Sequence, residues 1–164
     1  MRDILTLPDH RLRQVCEPVT QFDENIGQLL SELDACMRAG PGGVGIAAPQ
    51  IGVSSRMVLV DCSLGRFKSK HHGLLQMINP EIEKAEGEVL GREGCLSVPD
   101  WVGMVPRAKR IVVSYADLQG VRHRLETSGF EARVIQHEMD HLNGVLFIDR
   151  VISTKDLVRR MTAG

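Results

Sequence analysis

Residues 128–144 read SGFEARVIQHEMDHLNG, and this stretch governs how the rest of the chain is read. Phe130, Val134, His137 and His141 recur at helical spacing, with Ile135, Met139 and Leu142 alongside, which predicts a helix with one face turned inward. Ser128 followed three residues later by Glu131 predicts a capping box at its start, and Gly144 after Asn143 a left-handed stop at its end. Inside the helix lies His137-Glu138-Met139-Asp140-His141. Histidines at i and i+4 sit one turn apart on the same face, so both imidazoles can reach one metal ion. Glu138, beside the first of them, is placed to take a proton from a water on that metal. Two histidines meeting by chance on a polar face are the competing reading, and the short pattern alone does not separate the two.

Working outward, an earlier helix is predicted from an N-cap at Asp23 to about Arg38. Ile26, Leu29, Leu30, Leu33, Cys36 and Met37 form its apolar stripe, and Gly40-Pro41-Gly42-Gly43 ends it. A helical turn is expected near Asp9 to Val15, and a short closing helix from about Thr154 to Met161. Strands are expected over Met57 to Asp61, Leu74 to Asn79, Ile82 to Leu90 and Ile111 to Asp117. The last continues through Leu118-Gln119-Gly120 into a hairpin partner, Val121 to Glu126. Strands clustered between helices, without βαβ alternation, predict an α+β fold: antiparallel or mixed β-sheets around a central helix carrying the His-Glu-x-x-His motif. No repeat or linker divides the chain, so residues 1–164 are expected to form a single catalytic domain with a short C-terminal helix. Gly65 to Gly73, with Lys68, Lys70, His71 and His72, reads as a solvated loop rather than a metal site.

The 164 residues suffice for one domain with a proper core, and 43% hydrophobic content is ordinary for a globular protein. A net charge of −1 gives no argument for a nucleic-acid or membrane partner. No apolar run approaches the roughly 20 residues that span a bilayer, and the N-terminus turns polar too soon for a signal peptide. A cytoplasmic, bacterial location is expected by default, an organellar one being the alternative. Cys16, Cys36, Cys62 and Cys95 have neither zinc-finger spacing nor disulfide-scaffold density, and the first three read as small buried hydrophobes.

Two further segments carry chemistry. Gly43-Val44-Gly45-Ile46-Ala47-Ala48-Pro49-Gln50 lacks the third glycine and the helix of a dinucleotide loop; small residues there suit close approach of a ligand to the backbone and to the Gln50 amide. In Glu93-Gly94-Cys95-Leu96-Ser97-Val98-Pro99, Cys95 reads as a catalytic thiol, as a third metal ligand, or as a buried cysteine. A third ligand is what the histidine pair lacks, since hydrolytic metal sites commonly use three protein ligands and leave a position for water.

Gly43 to Gln50, Glu93 to Ser97 and Gln136 to Leu142 resemble, in order and rough spacing, the three signature motifs of the peptide deformylases. The resemblance extends to about Arg150 and implies an α+β enzyme that removes the formyl group from the N-terminal formyl-methionine of new proteins. It implies that Cys95, His137 and His141 hold one divalent metal, Fe2+ by family preference, with Zn2+, Ni2+ or Co2+ able to replace it. Glu138 would be the general base, and the Gln50 amide and Leu96 N–H the oxyanion donors. Gly45 would bind the peptide backbone and Val44, Phe130 and Val134 the methionine side chain, with the stem of Arg133 a further wall. An ion pair of Glu93 with Arg107 would hold the cysteine loop. Two departures stand out. Val102 occupies a position where many relatives have a peptide-binding arginine, and Ser153 to Gly164 is short beside relatives whose basic helix docks on the ribosome. Lys155, Arg159 and Arg160 keep some positive charge, so any ribosome contact is expected to be weak, with formyl-methionyl nascent peptides the principal partner. A general zinc endopeptidase shares the helix motif but gives Gly43 to Gln50 no role. A structural metal site would need a fourth ligand and neither Glu138 nor Gln50.

Overall fold

The computed structural model describes residues 2–159. Helix α1, Glu24–Ala39, begins where Asp23 accepts a hydrogen bond from the Asn25 N–H at 3.0 Å, and it buries Ile26, Leu30, Leu33, Cys36 and Met37. Strands follow as β1 Gly45–Ala47, β2 Met57–Asp61, β3 Leu74–Glu86, β4 Val89–Cys95, β5 Val98–Arg107, β6 Arg110–Ala116 and β7 Arg122–Ser128. Helix α2, Gly129–Leu142, carries the His-Glu-x-x-His motif, and β8, Leu157–Arg159, comes last. Strands β1-β2-β3-β6-β7 make one antiparallel sheet and β4-β5-β8 a second.

Every residue of β2 is buried because its two faces meet different partners. Met57 and Leu59 pack with Leu30, Leu33 and Met37 of α1, while Val58 and Val60 pack with Val134, Ile135 and Met139 of α2. The opposite side of α2 meets the small sheet through Arg133, His137 and Asp140, whose charged contacts run to Glu93 and Arg107. Val98, Val105, Leu146 and Phe147 form a third apolar cluster under that sheet. The central helix therefore lies between two antiparallel sheets, as its sequence pattern predicts.

Several boundaries differ from expectation. Leu74–Glu86 is one strand: Asn79, at φ 50, and Pro80 produce a bulge, and the Asn79 side chain replaces the interrupted ladder by bonding Val19 N–H and C=O at 2.8 Å each. The strand expected over Ile82 to Leu90 instead divides at Gly87, φ 73, into the β3 and β4 ends. Strands β4 and β5 were masked in the sequence by Gly91, Gly94, Pro99, Gly103 and Pro106. The expected helix from Thr154 is a single 3-10 turn, Thr154–Asp156, followed by β8. The free edge of β5 captures it, pairing Gly103 with Leu157 and Trp101 with Arg159; Arg160 and Met161 lie outside the described residues. The capping box is also overturned. Ser128 makes no side-chain cap bond, and Glu131 is fully buried, accepting from Thr127 Oγ1 at 2.8 Å and from the His72 N–H at 2.7 Å. His72, expected in a freely solvated loop, is thereby tied to the start of α2, with its ring on the same carboxylate.

Candidate active site

The end of β4 brings Cys95 against α2. The ligating atoms of Cys95, His137 and His141 all lie within 4.8 Å of one another, with Cys95 Sγ 3.4 Å from His141 Nε2. One thiol and two imidazoles in this arrangement are a donor set for a divalent transition metal. Two further observations fit it. Glu93 Oε1 lies 2.8 Å from His137 Nδ1, which leaves Nε2 for a ligand and fixes the ring. Burial drives the His141 pKa well down, keeping it in the neutral form that ligation requires. Burial also opposes charge on His137, but Cys95, Glu138 and Glu93 outweigh it and raise its pKa, so the cluster attracts positive charge.

Glu93 is the junction of this support. Arg107 grips both its oxygens at 2.9 Å, and Arg133 Nη1 adds a bond at 2.6 Å. Burial raises the Glu93 pKa, yet the hydrogen bonds from His137 and Arg107 prevail and hold it at about 2. Arg107 extends the chain of charges to Asp140, which Arg150 also binds. The expected Glu93–Arg107 pair is present, while Arg133 does more than supply an apolar wall. It donates to the carbonyls of Val105 at 2.9 Å and Val89 at 2.7 Å, stapling α2 to the β4–β5 hairpin. A Cβ on Gly91 would sit 2.6 Å from the Arg133 guanidinium carbon, so the staple needs glycine beneath it.

Glu138 is 5% exposed, and its Oε1 has no hydrogen-bond partner. Burial pushes its pKa up to about 7. Gly45 lets β1 pass directly over it, because a Cβ there would lie 2.7 Å from Glu138 Oε2 and 2.8 Å from Val134 Cγ1. The Gln50 amide is fixed at both ends: Oε1 accepts from Ala47 N–H at 2.9 Å, and Nε2 donates to the buried Ser97 Oγ at 3.1 Å. That nitrogen also lies 3.6 Å from Cys95 Sγ. Leu96 follows Cys95 in the turn between β4 and β5. The N-terminal segment straps these pieces together, Leu5 N–H donating to Gln50 C=O at 2.7 Å and Leu7 N–H to Ser97 C=O at 3.0 Å.

A cleft of about 260 Å³ opens above the cluster, and Val44, Gly45, Phe130 and Val134 all line it, as does Leu96. Sequence reasoning missed Ser97, Arg92, Asp140 and the polar role of Arg133. Asp140 occupies a filler position of the helix motif, and only the fold brings the other three to the site.

Residues 1–157 match the family model described as polypeptide deformylase. A peptide deformylase of Thermomicrobium roseum is 45% identical over 152 residues, 92% of this chain and 86% of that protein. The crystal structure of peptide deformylase from Thermotoga maritima superposes with a TM-score of 0.85 at 40% identity, covering 93% of this chain and 99% of that one. A Met-Ala-Ser-bound structure of a class I type b peptide deformylase from Acinetobacter baumannii gives 0.86 at 36% identity, covering 92% and 99%.

Proposed function

Because the chain belongs to the polypeptide deformylase family, we propose that Cys95, His137, His141, Glu138, Gln50 and Leu96 form its reaction centre. The reaction is hydrolysis of the formyl group from the N-terminal formyl-methionine of newly made proteins, releasing formate.

In this reading Cys95, His137 and His141 hold one divalent ion, which when bound would polarise the formyl carbonyl and make a water acidic near neutral pH. We assign Fe2+, with Zn2+, Ni2+ and Co2+ able to use the same thiolate and imidazole donors. Glu138 takes a proton from the attacking water as its oxygen bonds to the formyl carbon. It returns that proton to the departing nitrogen as the C–N bond breaks, so formate and a free amine result. Burial raises the Glu138 pKa, which makes its carboxylate a stronger proton acceptor for that transfer. Gln50 Nε2 and the Leu96 N–H donate to the oxygen on which negative charge develops.

Among the described residues, strand β1 pairs only with β2 and β4 only with β5, so two strand edges without partners there flank the cleft. An extended peptide added between them would be held by backbone bonds that tolerate varied sequence, with its methionine against Val44, Phe130 and Val134. Met-Ala-Ser, bound in the Acinetobacter relative, is a peptide of the size this slot suits. We place the enzyme in the bacterial cytoplasm as a single catalytic domain, with only weak ribosome contact through its tail. No helix among the described residues is long and apolar enough to cross a membrane.

The observation that carries this assignment is the buried, unpartnered Glu138 Oε1 beside a Cys-His-His cluster. Anaerobic purification, metal analysis and formyl-Met-Ala-Ser turnover on one sample test it. Glu138→Ala should retain the metal and lose nearly all turnover. Near-normal activity in that variant would remove Glu138 from the mechanism, and a metal-loaded native enzyme without turnover would remove the assignment.

A further inference from the structure

Of the charged groups lining the cleft, Glu93 and Arg133 have partners among the described residues, whereas the buried Glu138 and the exposed Arg92 have none. Glu93 is neutralised by Arg107 and Arg133, and the Arg133 guanidinium is held by Glu93 and two carbonyls. Glu138 lies buried at the base. Arg92 lines the same cleft, is exposed, and makes no ion pair or hydrogen bond among the described residues.

Its isolation follows from the pleat. On β4, Glu93 and Cys95 turn toward the metal cluster, so Arg92 projects from the other face. Its neighbours there are Leu90 and Gly94 along the strand, Met104 directly opposite, and Val102 and Pro106 on the diagonals. None is charged, and Leu90 and Met104 are themselves exposed at 53% and 38%. Among the described residues no carboxylate bonds the guanidinium, so it is free to pair with an anion arriving from outside. What arrives at this rim is an extended peptide whose side chains alternate in direction.

We infer that Arg92 makes the enzyme selective, among N-formylmethionyl peptides, for those with a carboxylate side chain within the first few residues after methionine. The inference rests on the hydrolytic reading above. A solvent-exposed pair of this kind changes kcat/KM by about two- to fivefold, and salt screens it. Replacing Glu by Lys at the right substrate position exchanges attraction for repulsion, so the two should differ by about three- to tenfold.

The test uses formyl-Met tetrapeptides with Glu, Gln or Lys placed in turn at each of the three following positions, followed by formate release. At one position or more, the native enzyme should prefer Glu to Lys, mainly through KM, with the ratio shrinking as salt is raised. Arg92→Ala should bring that ratio close to one, and Arg92→Glu should invert it. Neither replacement removes an ion pair or hydrogen bond among the described residues, and a urea titration of each variant checks that it is folded. A ratio of one at every position, or a preference unchanged in Arg92→Glu, would overturn the inference. Failure to cleave even the Gln peptides would instead overturn the hydrolytic reading on which it stands.

Discussion

The Gln50 side chain has an amide oxygen and nitrogen of nearly equal shape, and only the nitrogen can donate to a developing oxyanion. Ala47 and Ser97 decide which end faces the cluster, by offering a donor to one end and an acceptor to the other. Gln50→Ala removes the donor and should cost about 100- to 1,000-fold in kcat. Ser97→Ala keeps the donor but frees its orientation, so a smaller loss in kcat is expected, about tenfold, with the metal retained. Comparing kcat, KM and metal content of the two variants checks this. An effect of Ser97→Ala on metal content alone would mean that Ser97 supports the Cys95 loop rather than the amide.

Between elements, Arg133 joins α2 to the hairpin that carries both Glu93 and Cys95. The close passage over Gly91 makes the two residues interdependent. Gly91→Ala should displace the guanidinium and speed metal loss to a chelator by about tenfold, while destabilising the fold by about 1–3 kcal/mol. The Gly91→Ala/Arg133→Met double variant should be less impaired than the sum of its singles, because the shorter, uncharged chain relieves the crowding. Chelator-release kinetics and denaturant titration of the four proteins measure that coupling, and strict additivity would break the link. This staple also marks where sequence reading stopped. The helical period around His137 and the apolar run of β2 were legible because each follows from a local repeat. Strands β4 and β5 were not, since Gly91 answers to Arg133 above and Gly103 to β8 alongside, which are distant in sequence. The Cys-His-His cluster was legible for the opposite reason, two of its members lying within one helical turn. Ser97 and the strap from Leu5 and Leu7 act through contacts that no spacing announces.

For the whole molecule, the five-stranded sheet is buried on both faces at β2, and one group in that core makes stability depend on pH. Cys62 follows β2 in the cluster between sheet and α2, almost wholly buried. Burial first, and then the nearby charges of Glu131 and Asp61, push its thiol up to about 12 from an ordinary 9.0. The sign follows from which state holds the proton. Below about pH 9 folded and unfolded chains both keep the thiol protonated, and Cys62 contributes no pH dependence. Between 9 and 12 the unfolded chain ionises while the folded chain does not, so stability falls as pH rises, by about 4 kcal/mol over the full interval in order of magnitude. Cys62→Ala lacks that term. The variant should be less stable at neutral pH, by about 1–2 kcal/mol for the lost packing. Its urea midpoint should then decline less steeply than that of the native protein between pH 8 and pH 10.5. Parallel declines would show that Cys62 ionises as readily in the folded chain as in the unfolded one, contrary to its burial beside two carboxylates.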